Sequence, residues 1–317
     1  MSNERKSMSR IVISEFMDDA AVAAMSDRHD TLYEADLVDR RADLEAALAS
    51  AEVLVVRNRT RVDAALLSAG PALKAVGRLG VGLDNIDLDA CATRGIVVWP
   101  ATGANDLAVA EYVITSAMAL LRGAYAASDQ VAAGDWPRQR LIGGETAGRV
   151  MGLLGFGAIA RQVATRAAAL GMEVIAHDPH LSEEDPAWSQ AGRVTFEELL
   201  ARSDALSLHV PLTPATRHII DAPALARMPA RAVLINAARG GVVDEDALAA
   251  ALSSGRLAGA ALDVFETEPL TAAAGAKFAG LGNLILTPHI AGVTSESNVR
   301  VSDLIARKVL AHLDGGA

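Results

Sequence analysis

Between residues 148 and 288 the chain alternates short runs that are apolar throughout with longer stretches of helical period. The runs are "RVMGLL", "MEVIAH", "DALSLHV", "AVLINA", "GAALDV" and "NLILT". A run with no polar side of its own must be covered on both faces, as a strand is inside a parallel sheet wrapped by crossover helices. Helix starts are legible between the runs. Thr195 with Glu198 three residues on forms a capping box, and Asp244 precedes "EDALAAAL", which stops at Gly255. Six such strands with their helices predict a doubly wound sheet.

The first hundred residues carry a second, shorter alternation. "IVIS", "VLVV", "KAVGR" and "IVVW" read as strands, with helical stretches near 18–27, 40–50 and 87–94. Between the two regions "NDLAVAEYVITSAMALLR" predicts a helix capped by Asn105 or Asp106, and "SESNVRVSDLIARKVLAHL" predicts one closing the chain. The expectation is an α/β chain of two doubly wound domains. The larger, 104–289, is inserted into a smaller one made of 1–103 and 290–317, with a cleft between.

Composition narrows the function. With 317 residues and 51% hydrophobic side chains there is material for two real cores. No apolar run is long enough to span a bilayer, and "MSNERKSMSR" lacks the apolar segment of a signal peptide, so a cytoplasmic protein without membrane contact is expected. The single cysteine, Cys91, has no Cys or His companions at ligand spacing; it reads as a small packed residue, and no metal is expected. A formal net charge of −10 and only 3% aromatics argue against nucleic acid as a partner.

The strongest local signal is "VMGLLGFGAIARQVATRAAALGMEVIAHD". It places Gly155-x-Gly157-x-x-Ala160 between a strand and a helix, with Asp178 at the end of the next strand. The first glycine permits a tight turn, the second lets backbone approach a pyrophosphate, and the small third residue lets helix and strand close up. The N–H groups of Ala158 and Ile159 then face the anion. Asp178 can accept from the ribose hydroxyls and would repel a 2′-phosphate, which favours NAD over NADP.

Three later strand ends carry charge: Arg239 in "LINAARGG", Asp263 with Glu266 and Glu268 in "LDVFETEP", and His289 in "LILTPH". In an open parallel sheet the carboxyl ends of the strands line one ligand crevice. A histidine can move a proton at neutral pH, a carboxylate beside it steadies its charged form, and an arginine matches a carboxylate in bidentate fashion.

These stretches together resemble the D-isomer-specific 2-hydroxyacid dehydrogenases, in particular their phosphoglycerate dehydrogenase branch. "GRLGVGLDNID", "GFGAIA…HD", "SLHVPLTPATRHII", "NAARGGVVDEDAL", "ALDVFETEP" and "TPHIAG" occur in family order across nearly the whole chain. The resemblance implies a larger Rossmann-type NAD-binding domain and a smaller flavodoxin-like substrate domain. It implies that Arg239 holds the substrate carboxylate and carbonyl, that His289 is the acid/base and that Glu268 partners it. Glu266 is read as a surface neighbour. The cofactor contacts implied are Gly155, Gly157, Ala158, Ile159 and Asp178, then His209, Val210 and Pro211 on the adenosine side. Ala237, Ala238 and Gly292 follow along the dinucleotide, with Asp263 at the nicotinamide amide. The loop containing Val81 and Gly82 would bring N–H groups to the substrate carboxylate.

The substrate clue is "VVRNRTRVD": Arg57, Arg59 and Arg61 alternate, and on a continuing strand all three would share a side. Arg57, at the strand end, is the one expected to reach substrate; with Arg78 it could neutralise a second anionic group. "RNRTRVD" and "GRLGVGLDNID" are also similar to sulfolactate dehydrogenases, so a phosphate and a sulfonate stay open, as does a hydroxypyruvate or glyoxylate substrate. "VVWPATGAND" departs from the family pattern at Trp99, Pro100 and Thr102, and Ala160 stands where many relatives have glycine. The chain ends one helix after His289, so the regulatory domain of longer phosphoglycerate dehydrogenases is not expected. The resemblance implies a homodimer formed through helix 105–122 and the arm "AAGDWPRQRLIGGE". Formate dehydrogenases share the fold but have no hydroxyl proton to remove, and NAD-sensing corepressors of this family are the alternative outside enzymes.

Overall fold

The computed structural model describes residues 10–315, so the first nine residues of the opening stretch lie outside it. The chain divides into two compact units: one runs to Asn105 and resumes at Val293, and the other is Asp106–Gly292.

The first unit is built on five parallel strands, β1 (Arg10–Ile13), β2 (Asp30–Tyr33), β3 (Val53–Val56), β4 (Ala75–Arg78) and β5 (Val97–Pro100), in the order β2-β1-β3-β4-β5. β3 is buried along its whole length, as an all-apolar run requires. β2 has no such run: "DTLY" lies at the sheet edge with no fully buried residue, which is why hydrophobic pattern alone misses it. Helices Asp19–Ser26 and Ser295–Leu313 cover one face, where Ile305 and Val309 pack among Ile11, Ile13 and Val55. The C-terminal helix thus belongs to the sheet formed by the first hundred residues. The opposite face carries helices Arg41–Leu48, Ala64–Ala69 and Leu88–Thr93, with Cys91 buried among their side chains.

The second unit has seven parallel strands: β6 (Val150–Leu154), β7 (Glu173–His177), β8 (Gly192–Arg193), β9 (Ala205–Leu208), β10 (Val233–Asn236), β11 (Gly259–Leu262) and β12 (Leu284–Leu286). Their order is β12-β11-β10-β9-β6-β7-β8. Six are the apolar runs; β8 is Gly192 and Arg193, both exposed, with no signal to find. Helix Asp106–Arg122 buries Ala110, Val113 and Ala117 on one face of the sheet beside helix Ala158–Ala169. Helices Phe196–Arg202, Ala222–Arg227 and Glu245–Ser253 cover the other. Their starts follow local chemistry: Thr195 and Glu198 form the reciprocal capping box, and Asp244 accepts the Ala247 N–H. Among the described residues no single helix is long and apolar enough to cross a membrane.

The register matters most. Leu154 pairs with both His177 and Leu208, Asn236 with Leu208 and Leu262, and Leu262 with Leu286. The next residue on each strand therefore falls in one row along the carboxyl edge: Asp178, Gly155, His209, Ala237, Asp263 and Thr287. At the usual spacing of parallel strands this row is about 24 Å long.

Candidate active site

At the Asp178 end of the row the chain turns from β6 into helix Ala158–Ala169. Gly155 has φ +87°, and a Cβ there would lie 2.6 Å from the carbonyl oxygen of His209, so both its conformation and its crowding require glycine. Gly157 differs: a Cβ would meet nothing within 4 Å, so the space beside the helix start is open. Ala160 is fully buried in the helix–sheet contact, which leaves the missing third glycine without consequence. The free first-turn amides of the helix and the open space at Gly157 fit a dinucleotide pyrophosphate.

Asp178 has a second task that its spacing did not announce. Its Oδ2 accepts the Phe156 N–H at 2.9 Å and its Oδ1 the His180 N–H at 2.9 Å. The carboxylate that fits ribose hydroxyls through its remaining lone pairs also braces the glycine loop. His209 donates its N–H to Leu154 and sets its ring Nε2 3.0 Å from Ser207 Oγ; burial pushes the ring down to about 4, so it is neutral. Val210 packs against the Gly155 turn, and Pro211 follows with its carbonyl bonded to Thr216.

At the other end lie the charged strand ends. After β10, the buried Asn236 clasps its own turn: its Oδ1 accepts the Ala238 N–H at 3.1 Å and its Nδ2 donates to the Arg239 carbonyl at 2.9 Å. Arg239 is thereby fixed in backbone, and its Nη1 donates to the Ala238 carbonyl at 2.6 Å. Gly240 lies against the next loop so closely that a Cβ would come within 1.7 Å of the Phe265 carbonyl oxygen. The Arg239 loop and the loop carrying Glu268 can meet only because that position has no side chain.

His289 sits at φ +54°, a left-handed conformation that a histidine adopts at some cost. Asp263 holds it there. The Asp263 carbonyl accepts the His289 N–H at 2.8 Å; its Oδ1 accepts from Ile290 at 2.7 Å and Thr287 Oγ1 at 2.6 Å, and its Oδ2 from Ala291 at 2.8 Å. Since the Thr287 hydroxyl donates to Asp263, the Tyr112 hydroxyl, 2.7 Å away, donates to Thr287. Asp263 is 1% exposed, and three of its roughly four acceptor positions are used inside the protein. One remains for a further donor.

Glu268 completes the group. Its Oε2 is 2.7 Å from His289 Nδ1 and its Oε1 accepts the Phe265 N–H at 2.9 Å. Burial works to raise its carboxyl; the hydrogen bonds from His289 and Phe265 and the charges of His289 and Arg239 outweigh it and hold Glu268 below its ordinary value. With Nδ1 engaged, Nε2 is the ring nitrogen left to exchange a proton. Glu266 is exposed, as its reading as a surface residue requires, but it pairs with His218 Nε2 at 3.0 Å and donates its N–H to the buried Glu245 at 2.7 Å. Gly292 ends the unit.

In the first unit β3 stops at Val56, so the three arginines do not share a strand face. Arg59 pairs with the exposed Asp39 instead, and Arg61 is exposed. Arg57 is half-buried: its Nη2 donates to Asn298 Oδ1 at 2.7 Å and its guanidinium lies 5.7 Å from the Phe16 ring centre. Arg78 donates to the Leu79 carbonyl at 2.9 Å, and Val81 and Gly82 follow in the next loop, half-buried. Trp99 packs edge-on against His312 of the C-terminal helix, 5.0 Å between ring centres, and the Pro100 carbonyl accepts from Lys308. The unusual "VVWP" is thus part of that unit's packing. Sequence reasoning missed Tyr112, Asn236 and Thr287, whose only signal is a polar atom in or beside an apolar run.

Residues 114–291 match the family model described as "D-isomer specific 2-hydroxyacid dehydrogenase, NAD binding domain". An (S)-sulfolactate dehydrogenase of Chromohalobacter salexigens is 56% identical over 296 residues, 93% of this chain and 95% of its own. A D-3-phosphoglycerate dehydrogenase of Mycobacterium leprae is 39% identical over 96% of this chain, which spans 57% of that protein. Among solved structures, a D-lactate dehydrogenase from Aquifex aeolicus complexed with NAD and lactic acid has a TM-score of 0.83 at 29% identity, covering 97% of this chain and 96% of its own.

Proposed function

Since the chain belongs to the D-isomer specific 2-hydroxyacid dehydrogenases, NAD-dependent oxidoreductases acting on a CH–OH group, we propose that it oxidises a small 2-hydroxy acid bearing a second anionic group at C3. The observation that carries this reading is Arg57, whose guanidinium is held by Asn298 and Phe16 and, among the described residues, is hydrogen-bonded to no carboxylate, the Glu15 charge acting on it without such a bond. A fixed cation of that kind suits a sulfonate or phosphate, with Arg78 the nearby second cation. The 56% identity to a sulfolactate dehydrogenase favours the sulfonate; the phosphoglycerate dehydrogenase at 39% supports phosphate as the second reading.

The chemistry assigned to each residue follows from its surroundings. Arg239 is assigned to the C1 carboxylate, and Val81 and Gly82 are carried over from the resemblance as substrate contacts. His289 Nε2 takes the proton of the C2 hydroxyl, and Glu268 on Nδ1 orients the ring and stabilises its charged form. NAD, when bound, supplies the acceptor for the hydride that leaves C2. Gly155, Gly157, Ala158 and Ile159 are assigned to its pyrophosphate and Asp178 to the adenosine ribose. His209, Val210 and Pro211 border the adenosine, and Ala237, Ala238, Asp263 and Gly292 complete its binding surface.

A substrate panel tests the reading: 3-sulfolactate, 3-phosphoglycerate, glycerate and lactate, each with NAD and with NADP. The dianionic acids with NAD should give the highest kcat/KM. Arg57→Ala should cost the dianions about 1.5–3 kcal/mol, the loss of one charge-assisted contact, and leave lactate nearly unchanged. Lactate turned over as well as the dianions, or equal losses in Arg57→Ala, would refute it, and equal use of NADP would refute the role of Asp178.

The reading extends to a homodimer. Tyr125, Trp136 and Ile142 are 72%, 76% and 67% exposed on the segment following helix Asp106–Arg122, an arrangement suited to covering by a second copy. Light scattering at micromolar concentration should give a dimer; a fully active monomer would contradict it.

A further inference from the structure

Glu15 lies just beyond β1 and is 4% exposed. A buried carboxylate must be matched by donors, and among the described residues every donor bonded to this one comes from a single loop. Its Oε1 accepts the N–H groups of Arg57 at 2.8 Å and Thr60 at 2.9 Å, and its Oε2 accepts that of Arg59 at 3.1 Å. Three amides curled around one anion form a nest, here filled by a side chain of the same unit. The carbonyl edge of the loop is pinned as well, because Asn85 Nδ2 donates to Arg57 at 3.0 Å and Thr60 at 2.7 Å. Thr60 is itself buried, with its hydroxyl 3.0 Å from Ser14 Oγ.

The end of β1 therefore acts on Arg57 twice. Glu15 fixes its backbone, while the adjacent Phe16 supports the guanidinium that Asn298 holds from the C-terminal helix. We propose that Glu15 is the positioning residue of the anion-selecting loop, and through Arg57 a determinant of which 2-hydroxy acids are accepted. This rests on the reading that Arg57 receives the second anionic group. Glu15 itself touches no substrate. Its contribution is to hold the arginine where an anion meets it, so that the ordering is complete before binding.

Glu15→Gln keeps the shape but turns one acceptor into a donor facing a loop N–H. KM for 3-sulfolactate and 3-phosphoglycerate should rise roughly tenfold, the loss of one well-placed charged contact. The kcat, the KM for NAD, and kcat/KM for lactate followed at high enzyme concentration should stay within about twofold. A merely structural role would lower thermal stability and reduce turnover of every substrate alike. Selective loss in both Arg57→Ala and Glu15→Gln supports the proposal. Selective loss in Arg57→Ala with Glu15→Gln unchanged, or uniformly impaired, overturns it and leaves the proposed function standing. Uniform loss in Arg57→Ala overturns the proposed function and this role with it. Should Glu15→Gln fail to fold, Glu15→Asp, which keeps the charge but draws it back by one methylene, should show the same selectivity, and uniform loss there overturns the proposal.

Discussion

His289→Ala should lower kcat for oxidation by about 10²–10⁴-fold while the affinity for NAD stays near that of the wild type. The ring is tethered through Nδ1 to Glu268 at 2.7 Å, and Nε2 is the atom assigned to receive the hydroxyl proton. Alanine removes that acceptor and leaves the glycine loop, at the other end of the strand row, untouched. Glu268→Gln tests the same pair more finely. Glu268 is held below its ordinary value, so at neutral pH it is an anion hydrogen-bonded to the ring. An amide there removes the negative charge beside the proton that the pair carries. The rise of kcat/KM with pH in oxidation should therefore move to lower pH, and the fall with pH in reduction should move the same way. A His289→Ala enzyme with most of its kcat, or unchanged profiles in Glu268→Gln, would show the acid/base pair to be misplaced.

Arg239→Ala should cost about 2–5 kcal/mol in kcat/KM, roughly 30- to 4000-fold, the range for truncating one partner of a hydrogen-bonded charge pair. Both parameters should move: KM for the hydroxy acid rises because its carboxylate loses a bidentate partner, and kcat falls because the C2 hydroxyl is no longer held at His289. Arg239→Lys should recover only part of the loss, since an ammonium cannot reproduce the planar fork. Thermal stability should change little, because the turn is clasped by Asn236 through backbone atoms of residues 238 and 239. An unchanged KM for the hydroxy acid in Arg239→Ala would remove the carboxylate from this residue.

What was legible in the sequence is what depends on burial and local chemistry. Five apolar runs of the larger sheet were visible because they are largely buried between helices, the edge strand β12 because its three residues are all leucine or isoleucine, and the starts of helices Phe196–Arg202 and Glu245–Ser253 because Thr195 and Asp244 bond within a few residues. β2 and β8 were not, since "DTLY" mixes polar with apolar residues at a sheet edge and Gly192–Arg193 holds no apolar side chain. The same division runs through the site. Gly155, Asp178, Arg239, Glu268 and His289 carry spacing or chemistry of their own. Asp263 was assigned to the cofactor from resemblance, yet its most evident task is to hold the turn of His289 through contacts 24–28 residues distant in the chain. Glu15 reaches 42–45 residues forward to its loop. No window of sequence contains both partners of such contacts.

The row along the carboxyl edge has a consequence for how this protein can diverge. Each strand delivers its residue immediately after its last paired position, so the row is set by pairing and is indifferent to how many residues separate one strand from the next. Insertions at the opposite end of the sheet, in the turns that lead into the strands, leave it intact. A single deletion inside β9, β10 or β11 would draw the residue that follows back by about 3.3 Å and turn it to the other face. Length variation is thus tolerated on one side of the sheet and excluded within it, and a library built to change substrate gains most from randomising residues beyond the row while leaving every strand length fixed.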